Sequence, residues 1–177
     1  MNKNLPKRKN LRLKDFDYSL PGSYFITIVI QDRMNLFGDV IEGKMCLNEA
    51  GKGVEQLLEQ ITVRFEGVKI PYHVVMPNHI HFILFISGGI NLSEIIRTFK
   101  SISTQLYIKG VKTLHWPPFH QRLWQHNYYE HIIRNQRSFD FIANYIVTNP
   151  LHWAKDAINL NHEEECEQIM KTVLEYE

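Results

Sequence analysis

The chain has 177 residues, a formal net charge of +1, 44% hydrophobic and 22% charged side chains, which fits one soluble domain able to bury a core. No run approaches the ~20 apolar residues of a membrane span, and the basic start lacks the apolar stretch of a secretory signal. Cys46 and Cys166 show no metal-ligand spacing, so a reduced, cytoplasmic setting is the expectation.

Near-neutrality hides an uneven distribution. Between Met1 and Lys14 every charged side chain is basic (Lys3, Lys7, Arg8, Lys9, Arg12, Lys14), whereas Glu163, Glu164, Glu165, Glu167, Glu175 and Glu177 face only Lys171. The spacing of charge predicts a basic extension over 1–15, a folded domain over 16–155 and an acidic segment over 156–177. After the basic head, Tyr24 to Ile30 is rich in β-branched and aromatic residues and reads as a buried strand. Asp39–Ile41 and Lys44–Leu47 flank Glu42-Gly43 as a small hairpin. Asn48 is placed to cap a helix from Glu49 to Arg64, with Val54, Leu57, Leu58 and Ile61 on its apolar face. Strands from Val68 to Met76 and from His79 to Ile86 follow, joined by Pro77-Asn78. A second helix, with Ser93 as its cap, runs through Ile95, Ile96, Phe99, Ile102 and Leu106 and ends near Gly110. Beyond Trp116-Pro117-Pro118-Phe119 an aromatic strand is expected over about Leu123 to Ile133. A third helix is expected from Ser138 to Asn149, stopped by Pro150, with a last helical segment from His152. The order strand, helix, strand, strand, helix, strand is the split βαβ pattern of a ferredoxin-like α+β sandwich. Its sheet is antiparallel with helices on one face, and a further C-terminal helix is added.

Within this order, His79 and His81 flank the single apolar Ile80. Alternate residues of a strand share a face, so both imidazoles project together, and two histidines that close make half a metal site. A lone His-X-His is ordinarily a polar edge, and only a third ligand and a reactive group nearby give it meaning. The third helix offers both. Phe139, Ile142, Ala143 and Ile146 form its core stripe, while Tyr145 and Asn149, four residues apart, lie above one another on a flanking face. A phenol and an amide carbonyl could there meet an ion held by the histidine pair.

Met76-Pro77-Asn78-His79-Ile80-His81, Phe99-Lys100-Ser101, Trp124-Gln125, Tyr129 to Arg134 and Tyr145-Ile146-Val147-Thr148-Asn149-Pro150 occur in the order seen in REP-associated tyrosine transposases. Phe16-Asp17-Tyr18-Ser19, Gly22-Ser23-Tyr24-Phe25 and Gln31-Asp32-Arg33 also look like the opening of that group. The resemblance covers about Arg8 to Trp153, and these proteins are relatives of the single-tyrosine HUH insertion-sequence transposases. It implies His79 and His81 as metal ligands, Tyr145 as nucleophile and Asn149 as the helix-borne third ligand, where some relatives carry Gln. It further implies cleavage of single-stranded DNA beside a hairpin, through a 5′-phosphotyrosine and a free 3′-hydroxyl, followed by strand transfer. Mg is the implied ion; by type the ligands also suit Mn or Zn with added waters. A homodimer is one arrangement found among insertion-sequence relatives.

For DNA contact the candidates are Arg12 and Lys14 in the head, Arg97 and Lys100 on the second helix, Arg134 after the aromatic strand, and Trp124, Tyr128 and Tyr129 as surfaces for stacking bases, with core packing expected for at least two of these three. Glu130 and His131 are candidates for orienting the site. Three rivals stand beside this reading. A histidine-triad nucleotide hydrolase would need a further His where Ile83 stands. A domesticated transposase would keep hairpin binding and lose transposition. A nuclease activating water would leave no covalent adduct.

Overall fold

The computed structural model describes residues 17–153. Arg12, Lys14, the extension over 1–15 and the acidic segment over 156–177 lie outside the described residues. Strand β1 (Gly22–Val29) occupies the interior of an antiparallel sheet of order β4-β5-β1-β6, where β4 is Val68–Val75, β5 His79–Ile86 and β6 Tyr129–Ile133. A small hairpin of β2 (Gly38–Ile41) and β3 (Lys44–Leu47) stands apart. Its turn, Glu42-Gly43, has positive φ at both positions, as a two-residue hairpin requires.

Side-chain alternation divides the sheet into two faces. Tyr24, Ile26 and Ile28 of β1 and Ile80, Phe82, Leu84 and Ile86 of β5 enter the large core, which is covered by α1 (Glu49–Arg64) and α2 (Leu92–Thr113). Phe25 and Ile83 face the other way, into a smaller cluster with Ile142, Ala143 and Ile146 of α3 (Gln136–His152). Hence α1 and α2 share one face, as the split βαβ pattern requires, and the added helix covers the opposite one. His79 and His81 belong to this second face and are 0% exposed.

The boundaries follow their local chemistry. Asn48 caps α1 by accepting from the Gly51 N–H at 2.9 Å, as expected. The cap of α2 is Asn91, which accepts from the Ser93 N–H at 2.9 Å, so Ser93 sits inside the first turn instead of capping it. Likewise Asn135 caps α3 through the Ser138 N–H at 2.8 Å. In α2 the upstream amide reaches the orphan donor before the serine can, and in α3 it starts the helix two residues ahead of the expected Ser138. Pro150 does not stop α3, which continues to His152. The proline removes only the donor that would reach the Ile146 carbonyl, and the Trp153 N–H closes the end on the Pro150 carbonyl.

The expected aromatic strand is broken. Only Tyr129–Ile133 pairs with β1 as β6. Upstream, Leu123 accepts from the Gln31 N–H at 2.8 Å and the Gln125 N–H donates to Val29 at 2.9 Å, around an isolated bridge between Ile30 and Trp124. The ladder breaks between Thr27–Tyr129 and Ile30–Trp124, where residues 125–128 bulge out against only Ile28 and Val29. Beyond the bridge β1 gives way to a short turn in which Asp32 and Arg33 have left-handed φ.

Candidate active site

Strand β5 presents His79 and His81 side by side with ring centroids 4.5 Å apart and planes at 65°. The turn that feeds them is clamped from several sides. The Ile30 N–H donates to Asn78 at 2.8 Å, the Met76 N–H to His79 at 2.8 Å, and the Leu36 and Phe37 N–H groups both to Pro77, at 2.9 and 3.1 Å. Main-chain bonds thus hold the approach to the first histidine before any side chain contributes.

Each ring is oriented through Nδ1. His79 Nδ1 lies 2.8 Å from Asn78 Oδ1, while the amide's Nδ2 donates to the Arg33 carbonyl at 3.3 Å. With the amide oriented that way its oxygen can only accept, so His79 carries its proton on Nδ1 and keeps a lone pair on Nε2. His81 Nδ1 lies 2.7 Å from the hydroxyl of Thr27, its cross-strand partner on β1. When that hydroxyl accepts, His81 takes the same tautomer. Phe25, two residues before Thr27, stacks on His81 at 5.4 Å and 27°.

Helix α3 supplies the opposing wall. The Tyr145 hydroxyl lies 3.3 Å from His81 Nε2, its ring 5.3 Å from that imidazole and edge-on to Phe25 at 6.1 Å. Two turns further along, the Trp153 ring lies 5.9 Å from His79. Tyr145, Asn149 and Trp153 are spaced by four and share a ridge. Its two ends meet the two histidines, which sets Asn149 between them. Asn149 is 1% exposed, and among the described residues its Oδ1 has no hydrogen-bond partner. A buried acceptor left unmet costs about 1–3 kcal/mol, a cost that a cation would remove.

No three His, Cys, Asp or Glu side chains cluster as a metal site among the described residues. An ion here would rest on two imidazole Nε2 atoms and an amide oxygen, and the unmet oxygen of Asn149 fits that donor set. Three side chains would leave positions open for water or a phosphate oxygen, as catalytic sites require.

The remaining sequence candidates fall elsewhere. Arg97 and Arg134 are exposed, on α2 and just after β6. Lys100 donates to the carbonyls of Gln125 at 2.6 Å and His126 at 3.0 Å. Burial, with Arg122 nearby, lowers its pKa to about 8. It is first a strut for the loop before β6. Trp124 departs from the stacking role expected of it. It is 3% exposed, donates to the Ser103 hydroxyl at 2.9 Å and packs on Phe37 and Phe99, so no base can reach its face. Glu130 pairs with Ile26, so alternation turns it away from the histidine face, and it cannot orient the pair. His131 pairs with Phe25 and is buried on the histidine face. Thr27 was missed. Within Tyr24-Phe25-Ile26-Thr27-Ile28-Val29-Ile30 it is the one short polar side chain, set among aliphatic neighbours, and this is the signal that could have found it.

A family model described as transposase, IS200-like, matches residues 23–149, from the start of β1 to Asn149. An uncharacterized protein of Haemophilus influenzae is 36% identical, over 89% of this chain and 96% of its own. Among solved structures, a REP-associated tyrosine transposase bound to a REP hairpin superposes with a TM-score of 0.59 at 20% identity, covering 79% of this chain and 73% of that one. A candidate transposase from Deinococcus radiodurans superposes with a TM-score of 0.50 at 18% identity, covering 77% of this chain and 96% of its own. At these identities the two superpositions speak for the fold.

Proposed function

The chain belongs to the IS200-like transposases, and we propose that it cuts and rejoins single-stranded DNA beside a hairpin, with Tyr145 as the nucleophile. The observation that carries this reading is the meeting of the Tyr145 hydroxyl with His81 Nε2 at 3.3 Å, on the face where both imidazoles are buried. The hairpin bound in the structural relative supports the choice of substrate.

The Tyr145 oxygen attacks the scissile phosphorus. An O–P bond to the phenol forms as the bond to the 3′ oxygen breaks, leaving a 5′-phosphotyrosine and a free 3′-hydroxyl once that oxygen takes up a proton. Attack by a 3′-hydroxyl on the phosphotyrosine reverses these bonds and joins strands without external energy. His79 Nε2, His81 Nε2 and Asn149 Oδ1 would hold the divalent cation, Mg or Mn. Such an ion, when bound, draws charge from a phosphate oxygen and eases attack at phosphorus. Asn78 and Thr27 hold the rings so that Nε2 faces inward. Phe25 packs against both His81 and Tyr145 and limits their rotation, which favours attack from one direction. The phenol and His81 Nε2 of one copy stand 3.3 Å apart, which supports a site assembled within a single chain.

The test is incubation of the wild type and Tyr145→Phe with hairpin DNA from the gene's own flanks carrying a single-stranded extension, plus Mg or Mn. A denaturation-resistant protein–DNA adduct in the wild type alone is expected. Cleavage without any adduct would leave the water-activating nuclease in its place.

A further inference from the structure

On the α2 side of the sheet a cavity of about 350 Å³ opens between Lys100 and Thr104 of the helix and Phe119, Arg122, Trp124 and Gln125 of the loop before β6. The volume falls within the range of small-ligand sites. Three features of its wall are unusual together. Among the described residues no carboxylate lines it, although it gathers Lys100, Arg122 and His126. Arg122 is exposed and forms no ion pair among the described residues, yet it stands close enough to Lys100 to weaken that ammonium's hold on its proton. Two like charges held together without a counter-charge are a cost that an incoming anion removes. Two of the three Lys100 N–H donors are spent on the carbonyls of Gln125 and His126, and one remains.

The wall is also aromatic. Phe119 is half-buried, edge-on to Tyr107 at 5.8 Å, and Trp116 packs against both Tyr107 and Gly110, where a Cβ would strike the indole. The loop is therefore pinned and the Phe119 ring is held in place. Position matters as well. The Gln125 N–H donates to Val29, and Val29 is the cross-strand partner of His79. With strands about 4.8 Å apart, the pocket floor lies about 10 Å from the backbone of the first histidine.

We propose that this pocket holds one unpaired nucleotide of the DNA strand, its phosphate on Arg122 and the third donor of Lys100 and its base against Phe119. The inference rests on the strand-cutting reading above for its choice of polymer. Base-on-aromatic contact with a basic groove is the general means of holding a single strand without reading its sequence.

The probes are a labelled oligothymidine of about 12 nucleotides and a flush-ended hairpin with no single-stranded extension, both followed by fluorescence anisotropy across a salt series. Arg122→Glu is expected to weaken oligothymidine binding by at least about tenfold and to lower the slope of log affinity against log salt by about 0.7. Phe119→Leu, which keeps apolar bulk and removes the aromatic face, is expected to weaken it by about 5- to 100-fold. The flush-ended hairpin changes little with either, and thermal melting verifies that both variants are folded. Parental affinity for the oligothymidine in either variant overturns the proposal, as does an equal loss on the flush-ended hairpin. Adduct formation at Tyr145 is scored separately. Arg122-dependent binding without an adduct keeps the pocket and removes the tyrosine chemistry, and the reverse pattern does the opposite.

Discussion

The two faces of the sheet are built to different ends. Toward α1 and α2, β1 and β5 present Tyr24, Ile26, Ile28, Ile80, Phe82, Leu84 and Ile86 to a continuous apolar core. Toward α3 the same two strands interrupt a small cluster with Thr27, His79 and His81, all 0% exposed, and the helix adds a nearly buried Asn149. Burying apolar side chains stabilises, about 1.5–3 kcal/mol for a large one, whereas burying imidazoles and an amide stabilises only if every polar atom finds a partner. The contrast teaches that one face carries the stability which lets the other hold buried polar groups in place.

The sharpest separation comes from Tyr145→Phe. All covalent adduct should vanish in a gel assay, while unfolding free energy shifts by only about 1 kcal/mol, because the ring and its packing are kept and only the hydroxyl is lost. Phe82→Ala, on the apolar face, should do the reverse. It should cost about 3–5 kcal/mol in denaturant unfolding, with the adduct still formed by whatever fraction stays folded. If it removes catalysis without loss of stability, the division of labour is wrong.

Thr27→Val keeps shape and deletes the hydroxyl that orients His81. Mn affinity by calorimetry should fall about 10- to 100-fold, and Thr27→Ser should restore it. Asn149→Leu should raise the melting temperature of the ion-free protein, by an amount equivalent to about 1–3 kcal/mol, since it replaces an unmet acceptor with hydrocarbon. It should also abolish the stabilisation that added Mn gives the parent. A lower melting temperature without ion would mean that the amide oxygen has a partner after all.

The smallest effect is a pH dependence on the apolar side. Lys100 falls from the ordinary 10.5 to about 8 through burial and the neighbouring Arg122. Between those values the unfolded chain binds more protons than the folded one, so stability should rise with pH from about 8. Tyr107, pushed up to about 12 by burial, opposes this once pH passes the ordinary tyrosine value of 10.0. Melting temperature should therefore climb between pH 8 and 10 in the wild type, and the climb should flatten in Lys100→Met.

The histidine pair was legible because a strand's period of two admits one arrangement for His-Ile-His, and α1 was legible to both ends because Asn48 and the apolar spacing agree. The helix-borne pair Tyr145 and Asn149 followed from a period near four. What escaped depended on facing and competition. Trp124 sits in an aromatic run whose pattern does not say which side turns inward, and the bulge over 125–128 with the bridge to Ile30 decided it. Ser93 lost its capping position to Asn91 just upstream, and Asn135 began the third helix ahead of Ser138. Lys100 looked like a surface cation because sequence does not show carbonyls arriving from a loop 25 residues away.

The ridge of α3 sets a constraint on movement. Tyr145 and Asn149 ride on one rigid rod, so a rotation that carried the phenol away would withdraw the amide in the same stroke. In the strand transfer proposed above, phenol and amide would therefore approach or leave the phosphate as one body, and neither could be repositioned alone.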